Sequence, residues 1–325
     1  MKKVFKVIGY VLMGILAVAA AGIIYIQYAF PNVDAAPAIT IKKTPALVAR
    51  GEYLANHVAV CIDCHSTRDW SQFAGPLVPG THGKGGDRFD QTMGFPGVFY
   101  AKNITSDKET GIGSWTDGDI YRAIISGVTK DGDPIFPMMP YGAYSQMSEQ
   151  DVHAIIAYIR TLKPIKNVVP KSEPDFPFNL ILRTMPIKAT AKATPVLEDQ
   201  VSKGKYLLTV AACTDCHSPD KEKYLAGGAE FNLPFGTIRS ANISPDKETG
   251  IGNWTEDAFV NRFKQNLDPA IADKKVGPDE FNSIMPWRMY AGMKEEDLRA
   301  IYQYLRTVEP QKNKVVKYSP APSKS

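Results

Sequence analysis

Cys61-Ile62-Asp63-Cys64-His65 returns 152 positions later as Cys213-Thr214-Asp215-Cys216-His217, and these two C-x-x-C-H stretches use all 4 cysteines of the 325-residue chain. Working outward, a longer block repeats with them. Asn103-Ile104-Thr105-Ser106-Asp107-Lys108-Glu109-Thr110-Gly111-Ile112-Gly113-Ser114-Trp115 is mirrored by Asn242-Ile243-Ser244-Pro245-Asp246-Lys247-Glu248-Thr249-Gly250-Ile251-Gly252-Asn253-Trp254. A third landmark is Met139-Pro140-Tyr141, mirrored by Met285-Pro286-Trp287. Each copy closes on apolar residues at three- and four-residue spacing: Val152, Ile155, Ile156, Ile159 and Leu162 in one, Leu298, Ile301 and Leu305 in the other. That period marks an amphipathic helix. Ser148 with Asp151, and Thr116 with Asp119, have the spacing of helix N-terminal caps; Lys294 stands where the matching cap of the second copy would be. The chain is a tandem repeat of one unit, and its length suits about two domains. Unequal spacings locate insertions. Cys64 to Asn103 is 39 positions against 26 from Cys216 to Asn242, which assigns the first copy's extra residues to the glycine-rich loop Gly80–Asp90. Asn103 to Met139 is 36 against 43 from Asn242 to Met285, which assigns the second copy's to the charged loop Asp268–Glu280.

The pattern carries a chemistry. Two thiols three positions apart can each add to one vinyl group of a haem, and the next residue then reaches the iron, so C-x-x-C-H reads as c-type haem attachment. A zinc site built from two Cys pairs, or a redox C-x-x-C, would not require a His after each pair. Two haem c groups are expected, held covalently at Cys61, Cys64, Cys213 and Cys216, with His65 and His217 as axial iron ligands. Methionine is the usual partner of His in c-type electron carriers. Of the 10 methionines, the repeat singles out Met139 and Met285, each followed by a proline and an aromatic; proline stiffens the ligand loop. Met93, Met147 and Met293 read as packing residues. Asn103 and Asn242 either donate to haem propionates or brace a turn. Trp115 and Trp254 either reach propionates through their indole N–H or pack at a helix start. His57 reads as a helix-surface or core residue.

Lys2, Lys3 and Lys6 precede an uncharged apolar run from Val7 to Ile26, about 30 Å long as a helix and thus matched to a bilayer core. The run is longer than the apolar core of a cleaved signal peptide, which favours a retained single-pass anchor; either way the body is exported. The next basic residue is Lys42, so the charge asymmetry places the N-terminus in the cytoplasm and the body in the periplasm, on the cytoplasmic (inner) membrane. Residues 45–168 carry a net −2 and residues 198–312 a net −3, while the flanks and linker are basic. No basic stripe lies on the folded units, which excludes a nucleic-acid partner. The organisation expected is an anchor over 1–30, units over 45–168 and 198–313, a proline-rich linker over 169–197 and a basic, disordered tail over 314–325.

Together, C-x-x-C-H, the Asn-Ile-Thr/Ser-x-Asp-Lys-Glu-Thr-Gly-Ile-Gly-x-Trp block and Met-Pro-Tyr/Trp resemble the class I cytochrome c domains of cytochrome subunits that serve membrane-bound alcohol and gluconate dehydrogenases. The resemblance covers roughly residues 45 to 312, including Phe176-Pro177-Phe178-Asn179-Leu180 between the units. It implies an all-α fold, two tandem class I cytochrome c domains preceded by one transmembrane helix. It also implies His65, Met139, His217 and Met285 as iron ligands. Quinone-reducing relatives carry three such motifs and this chain two, so the resemblance implies a membrane-anchored dihaem cytochrome c. Such a chain relays electrons from a dehydrogenase or quinol-oxidising complex to a soluble cytochrome or terminal oxidase, and is an electron carrier rather than an enzyme. The alternative is a dihaem enzyme such as a peroxidase or thiosulfate dehydrogenase. The former needs an open iron; the latter commonly uses a further cysteine ligand, and the chain has no fifth cysteine.

Overall fold

A computed structural model describes residues 2–189, 199–277 and 279–321. Helix α1 (Lys2–Ala29) buries none of its residues and is, among the described residues, the helix long and apolar enough to cross a membrane. The first unit follows as α2 (Pro45–Tyr53), α3 (Cys61–Cys64), β1 (Arg88–Phe89), β2 (Gly97–Tyr100), α4 (Asp117–Ser126), α5 (Tyr141–Tyr144), α6 (Glu149–Ile159), β3 (Glu173–Pro174) and α7 (Phe178–Thr184). The second runs α8 (Gln200–Val210), α9 (Cys213–His217), β4 (Glu230–Leu233), β5 (Gly236–Arg239), α10 (Glu256–Lys264), α11 (Pro269–Ala272), α12 (Trp287–Ala291), α13 (Glu295–Leu305) and β6 (Tyr318–Pro320).

Local chemistry sets the helix ends. Thr116 and Asp119 close a reciprocal capping box on α4, and Gly127 ends it at φ 74°, a left-handed conformation that suits glycine. Thr44, Asp199 and Thr255 accept from Leu47, Ser202 and Ala258 amides to start α2, α8 and α10. Ser148 caps α6 through the Asp151 amide, as its spacing suggests. In each unit the first and last helices pack through a glycine: a Cβ on Gly51 would lie 1.8 Å from the Ala154 carbonyl oxygen, and one on Gly204 1.9 Å from that of Ala300. Leu54, Ile62, Ile155, Ile156, Leu207, Leu208, Leu298 and Leu305 fill the shared core.

Four findings correct the sequence reading. First, the units are not purely helical: each carries a small antiparallel sheet, β1-β2-β3 and β4-β5-β6. Strands of two to four residues are too short for an alternation of apolar and polar residues to register. Second, the segments after the last helices return to their own units. Glu173 and Pro174 pair with β2 and Tyr318–Pro320 with β5, so part of the expected linker and part of the expected disordered tail are sheet edges. Residues 190–197 of that linker and 322–325 of that tail lie outside the described residues. Third, most of the first insertion lies earlier than Gly80–Asp90. Ser66 accepts from the Gly83 amide as Ser218 does from that of Leu225, so residues 67–82 answer to 219–224. Fourth, the first unit begins before residue 45: the Ile41 amide donates to Asp117 at 2.9 Å.

The units dock by exchanging tyrosine bonds. The Tyr53 hydroxyl accepts from the Lys294 amide at 3.1 Å and donates to Asp297 at 2.5 Å. Symmetrically, the Tyr206 hydroxyl accepts from the Ser148 amide at 3.2 Å and donates to Asp151 at 2.7 Å. The starts of α6 and α13 are thus each bonded by a tyrosine of the other unit; α6 also has its own Ser148 cap, whereas Lys294 gives α13 none. The two insertions meet as well. Phe73 donates to the Lys274 carbonyl and Val276 to that of Ser71, both at 2.9 Å, while Asn282 accepts from the Ala74 amide and donates to the Trp70 and Gln72 carbonyls.

Candidate functional site

Both C-x-x-C-H stretches are single helical turns entered through a left-handed residue, Val60 at φ 47° and Ala212 at φ 51°. Neither is a glycine, and a β-branched valine in that region is strained. The turns are approached differently. Gly51 to Cys61 is ten positions and Gly204 to Cys213 nine; the extra residue is absorbed in a π turn over Leu54–Val58, closed by the Ala59 amide on the Leu54 carbonyl at 2.7 Å.

Each histidine is fixed from two sides. The Gly85 amide donates to the His65 carbonyl at 2.9 Å, and the Gly227 amide to that of His217 at 2.8 Å. The His65 Nδ1 lies 2.6 Å from the Lys102 carbonyl oxygen and the His217 Nδ1 2.7 Å from that of Ala241. A carbonyl can only accept, so Nδ1 carries the proton and Nε2 keeps its lone pair. That is the tautomer an iron ligand needs, held by an outer partner. Burial pushes both imidazoles below their ordinary 6.5, which keeps the rings neutral. Burial also pushes the thiols of Cys61, Cys64 and Cys213 up to about 12 and that of Cys216 to about 11. These values belong to the free thiols; tethered to a haem, the same sulfurs are thioethers. Among the described residues no three His, Cys, Asp or Glu side chains gather as metal ligands, so the motifs do not converge on a zinc-type site.

The repeated Asn block works as a brace. Asn103 donates to Thr110 Oγ1 and to the Ile165 carbonyl, and accepts from the Thr105 amide and hydroxyl. Asn242 does likewise with Thr249, the Gln311 carbonyl and the Ser244 amide. Both side chains are buried, with their amide hydrogens used inside the chain. In this structure Asn103 and Asn242 brace turns. The brace leads to the motif. Thr110 Oγ1 accepts from the Asn167 amide, Asn167 Nδ2 donates to the Lys84 carbonyl, and Gly85 holds His65. Thr249, Asn313, Ala226 and Gly227 repeat the chain to His217. The carbonyls of Trp115 and Trp254 accept from Arg160 and from the Tyr302 hydroxyl. The Trp254 side chain is partly exposed, and that of Trp115 packs on the core.

Met139 and Met285 are half-buried against the core that also takes Cys61 and Cys213. Met147 and Met293 are buried within it, and Met93 packs on a second cluster beside Cys64. The prolines after Met139 and Met285 share one conformation, φ −79° ψ 57° and φ −76° ψ 63°. Two residues escaped the sequence reading. Five positions after each methionine, Tyr144 donates to the Ala59 carbonyl at 2.7 Å and Tyr290 to that of Ala211 at 2.8 Å. These bonds pin each Met-Pro loop to the segment before its own motif. The signal was in the repeat, since a tyrosine follows both Met-Pro-aromatic triplets three residues on. Both hydroxyls are held far above the usual range, by burial first and then by the cysteines of their own motifs. Each also feels the other unit: Tyr144 the Tyr290 and Asp215 groups, Tyr290 those of Asp63 and Cys64. A cavity of about 290 Å³ has Asp63 of the first motif on its wall together with Pro286 and Met289 of the second unit. His57 crosses the same interface, with Nδ1 2.9 Å from the Met289 carbonyl oxygen. The two candidate sites therefore adjoin.

The cytochrome c family model matches residues 201–309. The chain is 30% identical over 277 residues to the fructose dehydrogenase cytochrome subunit of Gluconobacter japonicus, covering 80% of this chain and 52% of that protein. It is 32% identical over 289 residues to the gluconate 2-dehydrogenase cytochrome c subunit of Pantoea cypripedii, covering 81% and 60%. It is 29% identical over 261 residues to a diheme cytochrome c-type protein of Cereibacter sphaeroides, covering 76% and 81%. The chain spans 52–60% of the length of the dehydrogenase cytochrome subunits it matches. It is a homologue of cytochrome subunits of dehydrogenases, with a cytochrome c domain over residues 201–309.

Proposed function

We propose that this chain, whose second unit is a cytochrome c domain, is a membrane-anchored carrier of electrons with a haem c in each unit, working beside a dehydrogenase rather than catalysing a reaction itself. The observation that carries the reading is duplication. A left-handed entry to C-x-x-C-H, a histidine fixed by a carbonyl at Nδ1, and a tyrosine pinning the Met-Pro loop are built twice. In each unit the residues suit the group: Cys61 with Cys64, and Cys213 with Cys216, would tether it. His65 and His217 would offer Nε2 to iron, and Met139 and Met285 their thioether sulfurs. Bound haem supplies reversible one-electron iron chemistry, for which the protein sets ligation, burial and orientation. Gly85, Lys102 and Asn167 hold the first imidazole in place, and Tyr144 holds the methionine loop. With His and Met both bound, neither iron would have a position left for a substrate.

The adjoining sites suit passage of an electron from one unit to the other, with a periplasmic or membrane dehydrogenase, or a quinol-oxidising complex, as donor and a soluble cytochrome or terminal oxidase as acceptor. The relatives named as dehydrogenase cytochrome subunits favour the dehydrogenase. Helix α1 would anchor the chain in the cytoplasmic membrane, with the units in the periplasm. Carbon monoxide tests the reading. The reduced, haem-loaded protein is expected to bind none, Met139→Ala and Met285→Ala to bind it at one haem each, and the double variant at both. Rapid binding by the unaltered protein at one haem would overturn it in favour of a dihaem enzyme such as a peroxidase.

A further inference from the structure

The segment around α7 lies where α1 ends. The Arg183 guanidinium donates to the Gln27 carbonyl at 3.0 Å and to the Phe30 carbonyl, which ties α7 to the last residues of the apolar helix and the turn after it. The inward face of α7 is occupied. Leu182 is buried with Phe89 and Phe99, and Phe178 stands edge-on to Phe99 and Phe136 at 6.4 and 5.8 Å between centroids. Phe176, just before α7, is 74% exposed and Ile181 on it 50%, with Asn179 and Thr184 of α7 also exposed; Tyr28, next to Gln27 near the end of α1, is 88% exposed. Exposed charges of both signs flank the patch, Lys171 and Lys188 with Glu173 and Asp175.

We propose that Phe176 and α7 form a second membrane contact, seated in the lipid headgroup region next to the point where α1 emerges. This rests on the reading of α1 as a membrane span. The occupant is lipid because the patch is continuous with the end of that span and held to it by Arg183, so a bilayer that receives α1 lies against it. An exposed aromatic and an exposed aliphatic side chain among charged residues suit the boundary between acyl chains and headgroups. A consequence concerns orientation. The cluster beneath α7 packs against Cys64, so the first unit, at that cysteine, is a part of the body that would lie next to the membrane.

The test uses the full, haem-loaded chain in phosphatidylethanolamine–phosphatidylglycerol nanodiscs that contain a lipid with a photoactivatable diazirine near the headgroup. Adducts are mapped by mass spectrometry. Adducts are expected in residues 2–29 and also in the peptide containing 176–184. The F176D/I181D variant should lose the second set, keep the first and retain its haem spectrum. Adducts in 2–29 alone would overturn the proposal and leave the patch to a protein partner. Adducts in neither segment would overturn the span reading itself, and the proposal with it.

Discussion

At the scale of single residues, the same amino acids do quieter work than their positions suggest. Asn103 and Asn242 are landmarks of the repeat, yet they brace turns that reach the histidines through a chain of four hydrogen bonds. Asp107 and Asp246 belong to the same braces. Asp107 accepts from the Thr110 amide at 2.7 Å and its hydroxyl at 2.8 Å, and Asp246 accepts from the Thr249 hydroxyl and amide, both at 2.7 Å. The Thr110 amide foremost, and the Thr249 hydroxyl foremost, hold these carboxyls below the usual range. A depressed folded-state value adds stability above the unfolded value of about 3.9, and that stability is lost as pH falls through the lower folded value. Asp107→Asn and Asp246→Asn should therefore be less stable than the unaltered protein at neutral pH, with a shallower loss of denaturation midpoint below about pH 4. Tyr53 and Tyr206 are the other telling residues. Removing either hydroxyl leaves a mostly buried carboxylate short of a donor and a helix-start amide without its acceptor. Tyr53→Phe and Tyr206→Phe should each cost about 1–3 kcal/mol in urea unfolding.

At the scale of elements, the first and last helices of each unit meet at a glycine, and their geometry leaves no room for a methyl. Gly51→Ala and Gly204→Ala each push a Cβ into a helix carbonyl, an overpacking expected to cost about 1–3 kcal/mol or more; a thermal melt of each variant checks it. The ends of α4 and α6 are legible in the sequence because a cap is a bond across three residues. The strands are not, because β3 and β6 exist only once the chain after the last helix has returned to its own hairpin. The π turn before Cys61 is likewise visible only when Gly51 and Gly204 are known to occupy equivalent places. Its one extra residue is lost among the larger insertions when only motif spacings are compared.

At the scale of the whole molecule, the two units act as one body. Their contacts include the exchanged tyrosine bonds, His57 on Met289 and the meeting of the insertions around Asn282. Weakening the first and the last should uncouple them. The unaltered protein is expected to melt in a single transition by haem absorbance and calorimetry, and Tyr53→Phe with Asn282→Ala to show two. A single unshifted transition in the variant would deny these contacts their role in docking.

Sequence by itself determined the repeat, the two C-x-x-C-H stretches, the Met-Pro loops, the long apolar helix and the caps of α4 and α6. Each of these is written in residues a few positions apart, or in two copies that can be laid side by side. Only the tertiary structure decided that the Asn blocks brace turns, that each unit carries a sheet, that the insertions pair, and that a tyrosine from one unit bonds to the start of a helix of the other. Tyr53 and Asp297 are 244 positions apart. A bond across that distance leaves no periodicity or spacing in the chain, because it depends on how two finished units fit together.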